Sequence, residues 1–157
     1  RATMDETTRR RVLAGAAGAG AVATAGCLDG SDAGDDEAAE LYGDWFSGVG
    51  NFDGTEAFLD RDAIRIAVGA AGGRAFAPPA VRVRTGTRVV WEWTGEGGTH
   101  DVTEENGVFE SEAHRESGST FEYTFEETGV YRYVCTPHQA SGMRGAVHVV
   151  GEEYERA

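Results

Sequence analysis

Three side chains that can bind a metal lie within nine residues near the end of the chain. Cys135 offers a thiolate, His138 an imidazole and Met143 a thioether, in the spacing C-x2-H-x4-M. This mixture of a soft anionic sulfur, a borderline nitrogen and a weak neutral sulfur suits copper better than other common biological metals. A trigonal electron-transfer copper centre needs a second imidazole, for which His100 is the best candidate.

Taken singly, each of these residues has an ordinary explanation. Cys135 could be a small buried apolar residue, His138 a loop residue facing solvent, and Met143 a side chain that fills a gap in the core. The three together at the end of a strand-like segment are far more specific, so the sequence favours a metal centre.

The two remaining histidines are not candidate ligands. His114 lies in the charged run 110–116, which predicts a surface position. His148 alternates with Val147 and Val149, so we expect it on the opposite face of its strand and exposed to solvent.

The elements that must position the donors are short strands. Apolar residues recur at every second position in several segments, and glycine-containing turns separate them. The pattern predicts an all-β fold, an antiparallel sandwich or barrel. The predicted inward faces are Ile64, Ile66 and Val68; Val81 and Val83; Val89, Trp91 and Trp93; Phe121, Tyr123 and Phe125; Tyr131, Tyr133 and Cys135; and Val147 and Val149.

Two of these strands can bring the donors together. Cys135 lies on the same face as Tyr131 and Tyr133, so it ends its strand pointing inward. His100 follows the polar turn 95–99, directly after the strand that ends at Trp93. Both residues can therefore reach the same end of a sandwich.

Charge restricts the partners of the chain. Its net charge is −13, with 27 acidic residues against 14 basic ones, all of which are arginine. Nucleic acid is excluded as a partner, because phosphate binding needs a basic face. An acidic surface without lysine is typical of proteins from concentrated salt, so we expect a halophilic source.

The N-terminal segment of the chain is interpreted as an export signal. Residues 1–26 contain a twin-arginine pattern at 9–11 and an uncharged Ala/Gly-rich run, with Met4 as the expected natural start. Small residues then precede Cys27, as at a prokaryotic lipoprotein processing site, so we expect a lipid on Cys27 that anchors the exported protein at the extracytoplasmic membrane face. We expect no disulfide between Cys27 and Cys135.

The composition divides the chain into four parts. After the signal segment, residues 27–40 are acidic and poor in large apolar side chains, which predicts a flexible linker. We assign residues 41–151 to the β domain and residues 152–157 to a C-terminal tail.

Two segments resemble the cupredoxins. The run from Val134 to Gly145 resembles their copper loop, with the two-residue gap between Cys and His found in plastocyanin. The run from Phe76 to Trp93, continued by Thr-His-Asp-Val at 99–102, is similar to the segment that carries their first histidine. The glycine-rich turn at 95–98 and the stretch from Gly129 to Cys135, together with the export and lipidation signals, resemble more specifically the halocyanins, small blue copper proteins of halophilic archaea.

The resemblance implies a Greek-key sandwich of about eight strands that holds one type 1 copper and shuttles single electrons. Its ligands would be His100, Cys135, His138 and Met143. Cupredoxins usually have Asn after the first histidine, where this chain has Asp101. A carboxylate there can still accept a hydrogen bond from the Thr136 backbone N–H, while its charge should lower the reduction potential.

The same loop predicts where electrons enter. Pro137, Ala140 and Gly142 flank His138, so we expect the imidazole edge to lie within a small apolar surface. Such a surface suits brief encounters between a monomer and redox partner proteins of a membrane electron-transport chain.

Other functions fit less well. Copper storage or delivery is the main alternative, but such proteins favour exposed Met- or Cys-rich sites, and this chain has one Met outside the signal. A copper enzyme would need more histidines than His114 and His148 for a second metal. Zinc rarely recruits a thioether. A metal-free sandwich leaves the donor motif unexplained.

Overall fold

The computed structural model describes residues 37–155, in which nine short strands follow a helical segment at 37–42. A 3-10 helix, Thr136–Ser141, lies between the last two strands. The strands are β1 Glu56–Ala57, β2 Ala63–Ala70, β3 Ala75–Ala77, β4 Ala80–Arg84, β5 Thr87–Trp93, β6 Thr103–Glu104, β7 Thr120–Phe125, β8 Gly129–Val134 and β9 Arg144–Val150.

The strands form two sheets. One has the order β1-β4-β9-β8-β6 and the other the order β3-β2-β5-β7. From β3 to β8 the chain changes sheet at every connection, so strands that follow each other in sequence face each other across the core. This arrangement confirms the predicted all-β, Greek-key sandwich.

The core lies between the two sheets and follows the predicted period of two. Ile66, Val68, Val83 and Trp91 are fully buried, and the alternate positions on their strands are more exposed where the sheet has a solvent side. Tyr133 is also fully buried and packs edge-on against Trp91, with ring centroids 5.4 Å apart. Side chains from both sheets therefore fill one apolar layer.

The predicted strand direction is wrong in part. Of the seven strand pairs in residues 37–155, β1–β4, β4–β9 and β2–β5 are parallel and the others are antiparallel. Apolar spacing shows which side chains of a strand share a face. This alternation is the same whether the neighbouring strand runs parallel or antiparallel. The sequence pattern therefore could not determine the direction.

The domain begins earlier than predicted. Residues 37–40, assigned above to the flexible linker 27–40, are helical. Ala38 and Leu41 pack against a second apolar cluster that contains Tyr42, Phe46 and Ala146, which explains why the helix is retained there. Residues 1–36, including the predicted signal segment and Cys27, lie outside the described residues. Within residues 37–155, no helix is long and apolar enough to cross a membrane.

His148, on the outer face of the first sheet, is less exposed than we expected from the sequence. His148 does face away from the core, but it is half-buried rather than exposed. Its Nδ1 accepts a hydrogen bond from Arg82 Nε at 2.9 Å, and the Arg82 guanidinium also lies 5.5 Å from the centre of the Tyr154 ring. An arginine side chain and part of the C-terminal segment therefore cover this histidine.

We predict that Gly145→Ala destabilises the domain. A Cβ at this position would lie 2.4 Å from the hydroxyl of Tyr133, which is fully buried and has no room to retreat. Overpacking of this kind costs about 1–3 kcal/mol. Urea unfolding of the copper-free protein measures the change, with Gly50→Ala as the control, because its Cβ would meet nothing within 4 Å. Equal stability of the two variants would contradict the prediction.

Candidate metal centre

Three of the predicted donors meet at one end of the sandwich. Cys135 Sγ lies 3.5 Å from His100 Nδ1 and 3.4 Å from His138 Nδ1. All three donor atoms fall within 4.8 Å of one another. Cys135 and His100 are buried, whereas His138 is half-buried. The structure therefore brings His100 and the Cys135 loop together, as the sequence predicted.

The loop after β8 folds back on itself to place His138 next to the thiol. Pro137 stands in the first turn of the 3-10 helix, where its missing N–H costs nothing. The His138 N–H donates to the Cys135 carbonyl at 3.0 Å. Gly142 ends this helix in the left-handed region, with φ of 93°, which reverses the chain toward β9.

Backbone hydrogen bonds also join Met143 to the residues that carry the donors. The Cys135 N–H donates to the Met143 carbonyl at 3.0 Å, and the Met143 N–H donates to the His138 carbonyl at 3.2 Å. The Met143 side chain is fully buried in the same core cluster as Cys135. A role for Met143 as a further ligand is part of the proposal below.

His100 is held by its backbone on two sides. Its N–H and its carbonyl both pair with the backbone of His114, each at 2.9 Å, and Trp93 Nε1 donates to the same carbonyl at 3.0 Å. His114 is thus not a plain surface residue as predicted, but is half-buried with its ring edge-on to Trp93. Sequence reasoning missed this role because the pairing uses backbone atoms, which residue types do not reveal.

A hydrogen bond to a carbonyl selects the ring nitrogen that His100 offers. Its Nε2 lies 2.7 Å from the Glu96 carbonyl oxygen, which can only accept. Nε2 must therefore carry the proton, so Nδ1 keeps its lone pair toward Cys135 Sγ. A partner of this kind fixes both the tautomer and the orientation of a metal-binding imidazole.

Asp101 joins the two loops that supply the donors. Its Oδ1 accepts the Thr136 backbone N–H at 2.7 Å, and its Oδ2 accepts the Thr103 hydroxyl at 3.4 Å. The first of these is the contact expected from the sequence. Because Asp101 follows His100 and Thr136 follows Cys135, this bond sets the distance between the two ligand segments.

Burial controls the protonation of the copper-free donors. It raises the pKa of the Cys135 thiol above its ordinary 9.0, although backbone N–H groups of Asp101 and His138 partly oppose the effect. Burial also lowers the pKa of His138, assisted by the nearby His100 and Arg74. At neutral pH the copper-free protein therefore presents a protonated thiol and a neutral His138.

The donor set fits copper. In residues 37–155, His100, Cys135 and His138 are the group of His, Cys, Asp and Glu residues whose donor atoms cluster tightly enough to hold a metal ion. A thiolate and two imidazoles suit both Cu(I) and Cu(II), while the carboxylate of Asp101 is engaged by Thr136 and Thr103 instead.

The surface next to the centre is smaller than predicted. Pro137 and Ala140 are exposed beside the half-buried His138, as are the polar residues Thr136, Gln139 and Ser141. Gly142 is buried, so its assignment to that surface is wrong. A Cβ on Gly142 would lie 2.5 Å from the Gly48 carbonyl oxygen, so the segment around Gly48 covers this position.

Residues 64–150 match the family described as copper binding proteins of the plastocyanin/azurin type. The chain belongs to this family of copper-binding proteins, which confirms copper as the cofactor.

Within the family, the chain is halocyanin-like. It is 52% identical over 93 residues to halocyanin of Natronomonas pharaonis, an alignment that covers 57% of this chain and 57% of that protein. The chain thus spans little more than half the length of this relative. It is 28% identical over 89 residues to plastocyanin of Scenedesmus fuscus, covering 50% of this chain and 90% of that one. A solved Cu(I) form of an amicyanin mutant matches with a TM-score of 0.48 at 28% identity, over 58% of this chain and 85% of the other.

We predict that copper binding releases one proton from Cys135. The thiol pKa lies above 9.0 because of burial, so at neutral pH a metal-bound thiolate forms only by loss of this proton. The apparent copper affinity should rise about tenfold per pH unit until the pH reaches the thiol pKa. Calorimetric titration in buffers of different ionisation enthalpy measures the release. A count near zero, or an unchanged pH slope in Cys135→Ser, would refute the prediction.

We also predict that Asp101→Asn raises the reduction potential. The amide oxygen can still accept the Thr136 N–H, but the negative charge that favours Cu(II) is lost. For a partly solvated charge we expect an effect of about 1 kcal/mol, or roughly 40 mV for one electron. Redox titration measures it against Glu126→Gln, whose exposed carboxylate precedes the opposite end of β8. No rise relative to this control would contradict the assignment.

Proposed function

We propose that the chain is a one-electron carrier with a single type 1 copper. His100, Cys135 and His138 would hold the copper, and Met143 would add a weak thioether ligand. The observation that carries the proposal is the convergence of two imidazole nitrogens on one buried thiol, at 3.5 and 3.4 Å, from two distant segments of the chain. Membership of a copper-binding family supports it.

The protein residues prepare the site for reversible electron transfer. Copper, when bound, supplies the couple between Cu(I) and Cu(II). Cys135 gives up its proton to bind as a thiolate, and His100 presents Nδ1 because its Nε2 is engaged by Glu96. The Cys135 thiol and the His100 ring are buried, so water is excluded from this side of the site. The loop hydrogen bonds between Cys135, His138 and Met143 would hold these residues in place around the copper.

Electrons pass through the exposed end of the centre in this proposal. His138 is the one imidazole of the pair that reaches the surface, and Pro137 and Ala140 extend an apolar contact area around it. A small contact area of this kind suits a monomer that meets redox partner proteins briefly. We place these partners in a membrane electron-transport chain.

The geometry supports a carrier rather than an enzyme or a storage protein. Transfer of copper to a partner requires accessible donors, whereas Cys135 is fully buried and His100 is 1% exposed. A second copper would need further imidazoles. Among the described residues, two histidines remain. The backbone of His114 pairs with that of His100, and His148 lies on the outer face of the five-stranded sheet, where its Nδ1 accepts a hydrogen bond from Arg82.

We further propose that the domain is tethered at the extracytoplasmic face of the membrane of a halophilic archaeon. The twin-arginine pattern, the small residues before Cys27 and the net charge of −13 support this location. The similarity to halocyanin of Natronomonas pharaonis supports the source.

The function is tested by the visible spectrum of the copper-loaded protein. We predict an intense thiolate-to-copper absorption band in the wild type and complete loss of the band in Cys135→Ser. Cys27→Ser is the matched control and should keep the band, because position 27 precedes the residues 41–151 that we assign to the β domain. A colourless wild type that holds one Cu(II) per chain would overturn the proposal.

A further inference from the structure

We infer that Thr94 and Gly69 are positioning residues for the His100 imidazole. Neither residue offers a ligand to the metal. They act through the Glu96 carbonyl, which holds the His100 Nε2 proton and so directs Nδ1 toward Cys135. The inference rests on the proposed role of His100 as a copper ligand.

Thr94 connects the loop before His100 to strand β2. Its hydroxyl donates to the Gly69 carbonyl at 2.8 Å and accepts the Glu96 N–H at 3.1 Å. Its own N–H donates to the Val68 carbonyl at 2.9 Å. Through these three bonds, two of them made by its hydroxyl, Thr94 connects Glu96 to the end of β2.

Gly69 leaves the space in which the Glu96 carbonyl lies. It sits at the register shift between Val68 and Ala70 with φ of +97°. A Cβ on Gly69 would lie 2.8 Å from the Glu96 oxygen, 2.7 Å from Thr94 Oγ1 and 3.3 Å from His100 Nε2. Any larger residue would therefore push against the hydrogen bond that orients the ring.

A third contact holds the other side of the Glu96 carbonyl. The peptide that joins Glu96 to Gly97 lies directly against Gly73, where a Cβ would be 2.6 Å from the Gly97 nitrogen and 2.9 Å from the Glu96 carbonyl carbon. Glu96 is thus held at its own N–H by Thr94, and the following peptide, which contains the Glu96 carbonyl, is confined by Gly69 and Gly73. The carbonyl cannot turn away from His100 without disturbing one of these contacts.

Loss of the Thr94 hydroxyl removes the first of these restraints. The Glu96 N–H then loses its partner, and the Glu96 carbonyl can move away from Nε2. An imidazole without a fixed acceptor can place its proton on either nitrogen, and the form protonated at Nδ1 does not bind metal through that atom. Loss of such an orienting partner typically lowers metal affinity by about 10–100-fold.

The first experiment compares Thr94→Val with Thr94→Ser. Valine keeps the shape and removes the hydroxyl, whereas serine keeps the hydroxyl. In the copper-free protein, ¹⁵N NMR of the imidazole should show the Nε2-protonated form of His100 in the wild type and in Thr94→Ser, and a mixture of both forms in Thr94→Val. The Cu(II) affinity of Thr94→Val should fall about tenfold or more, while that of Thr94→Ser stays within about twofold of the wild type.

A glycine pair provides a second, independent test. Gly69→Ala and Gly72→Ala both place alanine at positive φ, +97° and +79°, but only the Cβ on Gly69 meets other atoms within 4 Å. Backbone strain should therefore lower the stability of both variants, while only Gly69→Ala should alter the His100 tautomer and the copper affinity.

The outcomes separate this inference from the proposed function. The tautomer is measured without copper, so it tests the role of Thr94 even if the wild type fails to bind copper as proposed. A folded Thr94→Val with the wild-type tautomer and an affinity within about twofold would overturn the inference. Equal effects of Gly69→Ala and Gly72→Ala would likewise show that only backbone strain is involved.

Discussion

The centre depends on the distance between two loops that are far apart in sequence. His100 and Cys135 are separated by 35 positions, yet their donor atoms lie 3.5 Å apart. The bond from the Thr136 N–H to the Asp101 carboxylate, 2.7 Å long, ties the residues that directly follow these two donors. A charge-assisted hydrogen bond is about twice as strong as a neutral one, so it can hold two otherwise irregular segments at a fixed separation.

The sandwich explains why these loops meet. Strand β5 leads toward His100 in one sheet, and β8 leads to Cys135 in the other. The chain after His100 then crosses over as β6 and pairs with β8, with Thr103 opposite Val134. The histidine segment is thus joined to both sheets, and the close-packed core between the sheets resists compression.

The sequence predicted the side-chain part of this arrangement. Alternating apolar residues identified the buried faces, and the spacing of Cys135 and His138 identified the donors, because both signals depend on residue type. The contacts of His114 and Thr94 were not predictable, since they depend on which backbone groups the fold brings together. The same applies to the parallel strand pairs and to Gly142, which is covered by the distant segment around Gly48.

The two imidazoles are held in different ways, and the difference suits the proposed electron carrier. His100 is buried, with its backbone paired to His114 and its ring bonded to Glu96. His138 lies on a short 3-10 helix, half-buried beside exposed Pro137. A ligand that faces the core can be fixed by hydrogen bonds without hindering a partner, whereas a ligand that faces the surface must leave its outer edge open. The fold therefore concentrates its restraints on His100, and the short loop from Cys135 to Met143 supplies those of His138.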